Sequence, residues 1–260
     1  MAELQYCKIL RTNINVTSMA GTLAYINAHI DGLRGQYICV SNVHTTVMAY
    51  ERKEYRTIQN SAAMALPDGA PLSGYSRIAG FRDAQRVTGP DLMTELFRIS
   101  PQKGYRHFFY GSTQETLDAM KGVIQKDYPG MVVAGMYAPP FRPLTPEEDS
   151  AVIARINSAK PDFIWVGLGA PKQEEWMYAH RGKLDAMAVG VGAGFDYLAG
   201  TIRRAPRMMQ RLYLEWLYRL VQDPKRMWKR YVTTNAKFFW YLLRERRLMK
   251  RKKKARRDKV

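Results

Sequence analysis

Along residues 1–202, short apolar runs alternate with longer stretches in which apolar residues recur at helical spacing. The runs Tyr37–Val40, Ala63–Leu66, His107–Tyr110, Met131–Ala134, Phe163–Val166 and Ala186–Val191 are strand candidates. Residues 45–60, 113–126 and 147–158 between them have the spacing of helices. Thr145-Pro146-Glu147-Glu148 supplies the last helix with an N-cap, a proline at its first position and first-turn acids. Strand–helix units of this length, repeated, predict an α/β fold: a Rossmann-like, mainly parallel sheet with helices on both faces. A helical, basic C-terminal appendage follows it.

The residues just after each run are small or polar. They are Ser41-Asn42-Val43-His44, Pro67-Asp68-Gly69, Gly111-Ser112-Thr113, Tyr137–Pro140, Gly167–Gln173 and Gly192–Asp196. In an open parallel sheet all six fall on one edge, where ligands bind outside the carboxyl ends of the strands. A binding crevice is therefore expected there, although each loop alone could be no more than a tight strand-to-helix turn.

Charge divides the chain. The formal net charge is +18, and residues 203–260 hold 21 of the 41 Lys/Arg against four acids, Glu215, Asp223, Glu245 and Asp258. A nearly neutral body, residues 1–202, thus carries a cationic appendage, residues 203–260, that must face something anionic. Two cysteines make no disulfide framework and point to a reducing compartment. The first residues show no basic and then apolar leader, and the apolar run Phe238–Leu243 is far short of the ~20 residues that span a bilayer. A cytoplasmic protein without a membrane span is expected.

Several chemistries are excluded by spacing. Gly190-Val191-Gly192-Ala193-Gly194 lacks the G-x-G-x-x-G spacing of a dinucleotide site, and Gly167–Lys172 is not a P-loop. The four histidines are scattered, neither cysteine lies in C-x-x-C, and no Ser sits in G-x-S-x-G. No Asp-x-Asp is present to hold a metal on a diphosphate. What stands out is Asp68, a carboxylate placed at the sheet edge by an apolar strand and flanked by Pro67 and Gly69. It could be a general base toward a substrate hydroxyl or simply a turn or helix-cap aspartate. Asp91 and Asp196 have the same two readings. Arg86 could be a surface turn residue or a cation facing an anionic ligand.

Five strings stand in order: Pro67-Asp68-Gly69, Arg86–Asp91, Gly167–Trp176, Gly192–Asp196 and Glu215–Leu220. Together they resemble the bacterial WecG/TagA/CpsF glycosyltransferase family over about Tyr37 to Tyr231. The resemblance implies a hexosyltransferase that moves an N-acetylmannosamine-type sugar, with inversion, from a UDP-sugar to an undecaprenyl-diphosphate-linked acceptor. It implies work for cell-wall teichoic acid, capsule or exopolysaccharide, done as a peripheral protein on the inner face of the cytoplasmic membrane. Carried over by residue, Asp68 is the catalytic base, and Asn42, Thr45, Thr46, Arg86 and Gln173 lie near the donor. Arg203, Arg204, Arg207, Arg211, Arg219, Arg226 and Arg230 meet the diphosphate and the membrane. No metal or other cofactor is expected, and a homo-oligomer is compatible with the sequence. One departure is Tyr213, where the family commonly has glycine before Leu-Glu-Trp.

In the appendage a helix is expected from about Arg207, with Met208, Leu212, Trp216 and Leu220 on one stripe, broken at Asp223-Pro224. Trp216, Trp228 and Trp240 stand among cationic and bulky apolar residues. That mixture suits an interfacial element on anionic lipid, whereas a plain core helix would leave only the tail as a charge run. Beyond Lys250 disorder is expected. Two other functions stay open on residues alone: a nucleic-acid-binding protein using the same charge, and a sugar-nucleotide oxidoreductase or epimerase, which the missing dinucleotide motif disfavours. Nucleic acid is not the expected partner, because the apolar content of the appendage is dense.

Overall fold

A computed structural model describes residues 4–257, with side chains except those of Arg226, Arg230 and residues 249–257. A hairpin, β1 (Tyr6–Ile9) and β2 (Thr12–Asn15), precedes α1 (Met19–His29). The alternating part runs β3 (Tyr37–Ser41), α2 (Val43–Glu51), α3 (Lys53–Asn60), β4 (Met64–Pro67), α4 (Ala70–Ile78), α5 (Gly89–Lys103) and β5 (Arg106–Gly111). It continues α6 (Gln114–Asp127), β6 (Val132–Tyr137), α7 (Pro146–Ser158), β7 (Phe163–Gly167), α8 (Lys172–Ala179), β8 (Met187–Gly190) and α9 (Gly194–Ala199). The appendage forms α10 (Arg207–Arg211), α11 (Glu215–Gln222) and α12 (Pro224–Arg257).

All six expected strands are present. They form one parallel sheet in the order β4-β3-β8-β7-β5-β6. Parallel strands buried on both faces read as continuous apolar runs, and alternate residues of each run feed opposite cores. In β7, Ile164 and Val166 join one cluster with Tyr110 and Met177, while Phe163 and Trp165 join the other with Leu96 and Leu117. The helix expected over 45–60 is two helices, because Arg52 between them is extended (φ −113°, ψ 113°). The Thr145 cap forms as expected, with Glu148 closing a capping box.

The connections decide where a ligand can sit. Neighbouring strands β5 and β7 lead into helices that pack on opposite cores, α6 through Leu117 and Met120 and α8 through Met177. Two such strands mark the point on the carboxyl edge where an open α/β sheet takes a ligand. The two loops approach closely there. Gly111 has φ 125°, and a Cβ on it would lie 2.7 Å from the Gly167 backbone.

The appendage differs from the single stripe expected. Its first helix ends at Arg211, and Tyr213 takes a left-handed conformation (φ 60°) before α11 begins. Glycine reaches that region without strain and tyrosine does not, which gives the Tyr213 departure a physical meaning. Neither α10 nor α11 has a buried residue, so they do not form a core helix. The break at Asp223-Pro224 occurs as expected, and beyond it α12 is one helix in place of separate pieces. The tail beyond Lys250 lies outside the residues whose side chains are described.

Helix α12 folds back onto α2. Phe238 is buried, the Lys237 Nζ and Tyr241 hydroxyl donate to Glu51 (2.8 and 2.7 Å), and Tyr50 and Arg11 donate to Glu245 (3.0 and 2.9 Å). At 100° per residue, Trp228, Val232, Phe239 and Leu243 fall within about 60° of one another on the opposite, exposed side. Among the described residues no helix is long and apolar enough to cross a membrane.

The Gly111–Gly167 approach makes a prediction. Gly111→Ala should cost at least about 2 kcal/mol, read as a lower denaturant midpoint at unchanged slope, because strained backbone and overlap add.

Candidate active site

Strand β4 ends in Pro67, and Asp68 is fixed by its neighbours. Its N–H donates to the Ser41 carbonyl (2.7 Å), and the Pro67 carbonyl accepts from Val87 N–H (3.0 Å). The turn is thus tied to β3 and to the chain that enters α5. Gly69, at φ 118°, occupies the N-cap position of α4, and no side chain caps that helix. Asp68 is therefore not a cap. Its carboxylate accepts no hydrogen bond from the described residues and faces Arg86 Nε at 3.8 Å.

Arg86 is not a surface turn residue. Its Nη2 donates to Glu215 Oε2, and Glu215 Oε1 accepts from Arg204 Nε at 3.3 Å. Arg204 in turn grips Asp91 with two bonds, Nη1 at 2.6 Å and Nη2 at 3.0 Å. Asp91 also accepts from the Thr88 hydroxyl (2.6 Å), while that hydroxyl accepts from Asp91 N–H and caps α5. The reading of Asp91 as a helix-start residue is the one the geometry takes. A line of five charges results: Asp68, Arg86, Glu215, Arg204, Asp91. Both Arg204 and Arg219 lie over the Tyr197 ring, at 5.7 and 5.5 Å.

Asp68 is 29% exposed and hemmed in by this cluster. Burial pushes its pKa up to about 6; Arg86 pulls it down, and Glu215 and Asp91 add to the rise. A carboxylate with a pKa near 6 is still largely ionised at neutral pH, and is a better proton acceptor than an ordinary aspartate.

The other expected residues divide. The Asn42 carboxamide oxygen caps α2, accepting from His44 and Thr45 N–H (3.0 and 3.2 Å), and Nδ2 has no protein partner among the described residues. The hydroxyls of Thr45 and Thr46, both buried, turn back to the Asn42 carbonyl (3.0 and 2.8 Å). Gln173 is also buried. Its Oε1 accepts from Gly192 N–H (3.0 Å) and its Nε2 donates to Glu174 (2.8 Å), so it braces the loop after β8. Trp176 packs against Tyr110 and His180, with ring centroids 4.3 and 4.4 Å apart. In the appendage, Arg203, Arg207 and Arg211 are exposed, while Arg204 is committed to carboxylates. Arg203 and Arg219 line a concavity of about 520 Å³ with Gln222, Asp223 and Met227. The side chains of Arg226 and Arg230 lie outside the described residues.

Two participants carry no role in the sequence reading, Glu215 and Tyr197, while Glu174, readable either as a site residue or as one that opens a helix after Pro171, stands in the first turn of α8. Glu215 lay inside the string Glu215–Leu220, one of four acids in a basic segment. Glu174 is fully buried with Oε2 unpartnered, and burial pushes its pKa up to about 7. Among the described residues no group of three His, Cys, Asp or Glu is arranged to hold a metal ion.

The sign of these shifts is testable. Glu174 and Asp68 hold protons in the folded state at pH values where the unfolded chain has released them, so stability falls between about pH 4 and 7. Glu174→Gln should flatten the part of the decline that extends to pH 7. At pH 8 it should gain on the order of 2 kcal/mol by denaturant unfolding relative to the parent. A decline of unchanged depth would remove Glu174 as its source.

The geometry is that of a carboxylate at the carboxyl end of β4 beside clustered arginines; comparison with known proteins gives the family. Residues 7–253 match the profile of the Glycosyl transferase WecG/TagA/CpsF family. A protein of Bacillus subtilis (strain 168) is 33% identical over 221 residues, 84% of this chain and 82% of that one. One of Bacillus spizizenii is 32% identical over 203 residues, 78% of this chain and 77% of that one. One of Staphylococcus aureus (strain MW2) is 31% identical over 192 residues, 74% of each. All three are named N-acetylglucosaminyldiphosphoundecaprenol N-acetyl-beta-D-mannosaminyltransferase. With the profile matched over nearly its whole length, this chain belongs to the WecG/TagA/CpsF family of glycosyltransferases.

Proposed function

We propose that this enzyme transfers an N-acetylmannosamine-type sugar from a UDP donor to N-acetylglucosaminyl-diphospho-undecaprenol on the inner face of the cytoplasmic membrane. The lipid-linked product enters cell-surface polymer synthesis. The observation that carries the reading is Asp68, a carboxylate that accepts no hydrogen bond from the described residues at the carboxyl edge of the sheet, with its pKa near 6 and arginines beside it. The relatives' names supply the sugar and the acceptor.

In this reading the acceptor hydroxyl oxygen attacks the anomeric carbon as its proton passes to Asp68. The bond from that carbon to the UDP β-phosphate oxygen breaks on the opposite side, so one displacement inverts the centre. Charge grows on the departing diphosphate. In this reading Arg203 and Arg219, which line an open concavity, offset it, whereas Arg86 and Arg204 already hold carboxylates. Arginine in this role makes a resident metal unnecessary. The Asn42 amide and the glycine loops after β5, β7 and β8 are the donor's surroundings. The exposed apolar side of α12 lies on the lipid, with the basic segment on anionic headgroups, each Lys/Arg there worth about 1 kcal/mol.

Three measurements test this. With UDP-N-acetylmannosamine and a synthetic prenyl-diphosphate-N-acetylglucosamine, product mass should rise by one N-acetylhexosamine. Asp68→Asn should lower kcat by about 10²–10⁴-fold with stability retained, and wild-type turnover in it would remove the base assignment. The pair Trp228→Ser and Phe239→Ser, at residues 62% and 60% exposed, should weaken binding to phosphatidylglycerol vesicles by at least about tenfold in sedimentation. Unchanged binding would place the lipid contact elsewhere.

A further inference from the structure

Glu215 belongs to α11, outside the sheet, yet is only 13% exposed. Its two oxygens go to different arginines, Oε2 to Arg86 Nη2 and Oε1 to Arg204 Nε. Each arginine also faces a second carboxylate, and the two ends of the line differ. Arg204 makes two short hydrogen bonds to Asp91. Arg86 makes none to Asp68: the Nε–Oδ1 distance is 3.8 Å, too long for an N–H···O bond, and the Nε is buried without a partner.

An unpartnered buried N–H is costly, and a small rotation of Arg86 would satisfy it on Asp68. The bond from Nη2 to Glu215 holds the guanidinium against that rotation. Three acids and two bases share the line, so one carboxylate has no arginine of its own. With Glu215 in place, that carboxylate is Asp68.

The geometry points to Glu215 as a positioning residue for the transfer: by holding Arg86 and Arg204 it keeps Arg86 off Asp68 and leaves that carboxylate open to the acceptor hydroxyl while α11 is docked. This rests on Asp68 being the base. It makes the base's competence depend on a residue of the appendage, so that undocking α11 would let Arg86 close on Asp68.

Among the described residues, the charged and titratable groups facing Asp68 are Arg86 before α5, Asp91 on α5, Tyr197 on α9, Arg204 after α9 and Glu215 on α11. Arg86 and Arg204 favour its charge, and Glu215 and Asp91 oppose it. Neutralising Glu215 removes one opposing charge and frees Arg86, and both changes act downward.

The test is a titration of the ¹³C-labelled Asp68 carboxyl by NMR in the full chain, with the resonance assigned by its loss in Asp68→Asn. The wild-type midpoint should be about 6. In Glu215→Gln it should fall by about one pH unit or more, and the acid limb of kcat/KM should move with it while plateau kcat drops. Glu215→Asp, which keeps the charge, should return the midpoint toward wild type. A Glu215→Gln enzyme that is slower at every pH with an unmoved midpoint would overturn the assignment. If that variant does not fold, Arg204→Gln decides: losing this cation while Glu215 keeps Arg86 should raise the midpoint, and a fall or no change refutes the role. The titration needs no substrate. A wild-type protein that transfers no sugar therefore sinks the functional reading alone, and an unmoved midpoint sinks the role of Glu215 alone.

Discussion

One line of charge, Asp91–Arg204–Glu215–Arg86–Asp68, joins the C-terminal helices to the edge of the sheet. Each arginine is partly buried between two carboxylates, and removing charge from water is tolerable only because the partners are this close. Asp91 is seated on the N-terminal turn of α5 by Thr88, and Asp68 on the end of β4 by bonds to β3 and to Val87. The line therefore has two fixed ends on the body and a middle member on the appendage. Docking of α11 and the state of the sheet-edge carboxylate are the same electrostatic problem.

The rest of the appendage extends this arrangement. Phe238 and the tyrosine–glutamate contacts at Glu51 and Glu245 hold α12 against α2, while its other side leaves Trp228 and Phe239 outside. The charge line and the exposed apolar side are thus mounted on one continuous segment. The charge that looks undivided in composition separates by geometry. Arg204 serves the internal line, Arg219 lies over Tyr197 beside an open concavity, and Arg203, Arg207 and Arg211 face solvent.

The sheet was legible because a strand buried on both faces has a simple signature, an unbroken apolar run ended by glycine or a small polar residue. What escaped has physical reasons too. The β1–β2 hairpin turns through Leu10 and Arg11, both left-handed (φ 45° and 70°), where glycine or asparagine is the usual sign. Arg52 and Tyr213 interrupt helices through backbone angles that their side chains do not announce. In the site, Asp68 was readable from the strand before it and the turn residues around it. Glu215 was not, since its partners Arg86 and Arg204 are 129 and 11 residues away and only the fold brings them together. Gln173 was expected near the donor, and its inward bond to Gly192, 19 residues away, comes only with the fold.

The central claim is that a carboxylate of raised pKa, Asp68, accepts the acceptor's proton. The most direct measurement is the pH dependence of kcat/KM for the wild-type enzyme with UDP-N-acetylmannosamine and the lipid-diphosphate acceptor. The account predicts a single acid limb with an apparent pKa of about 6 and full activity above it. A rate that stays flat from pH 8 down through pH 5, or a limb at the ordinary aspartate value near 4, would contradict it.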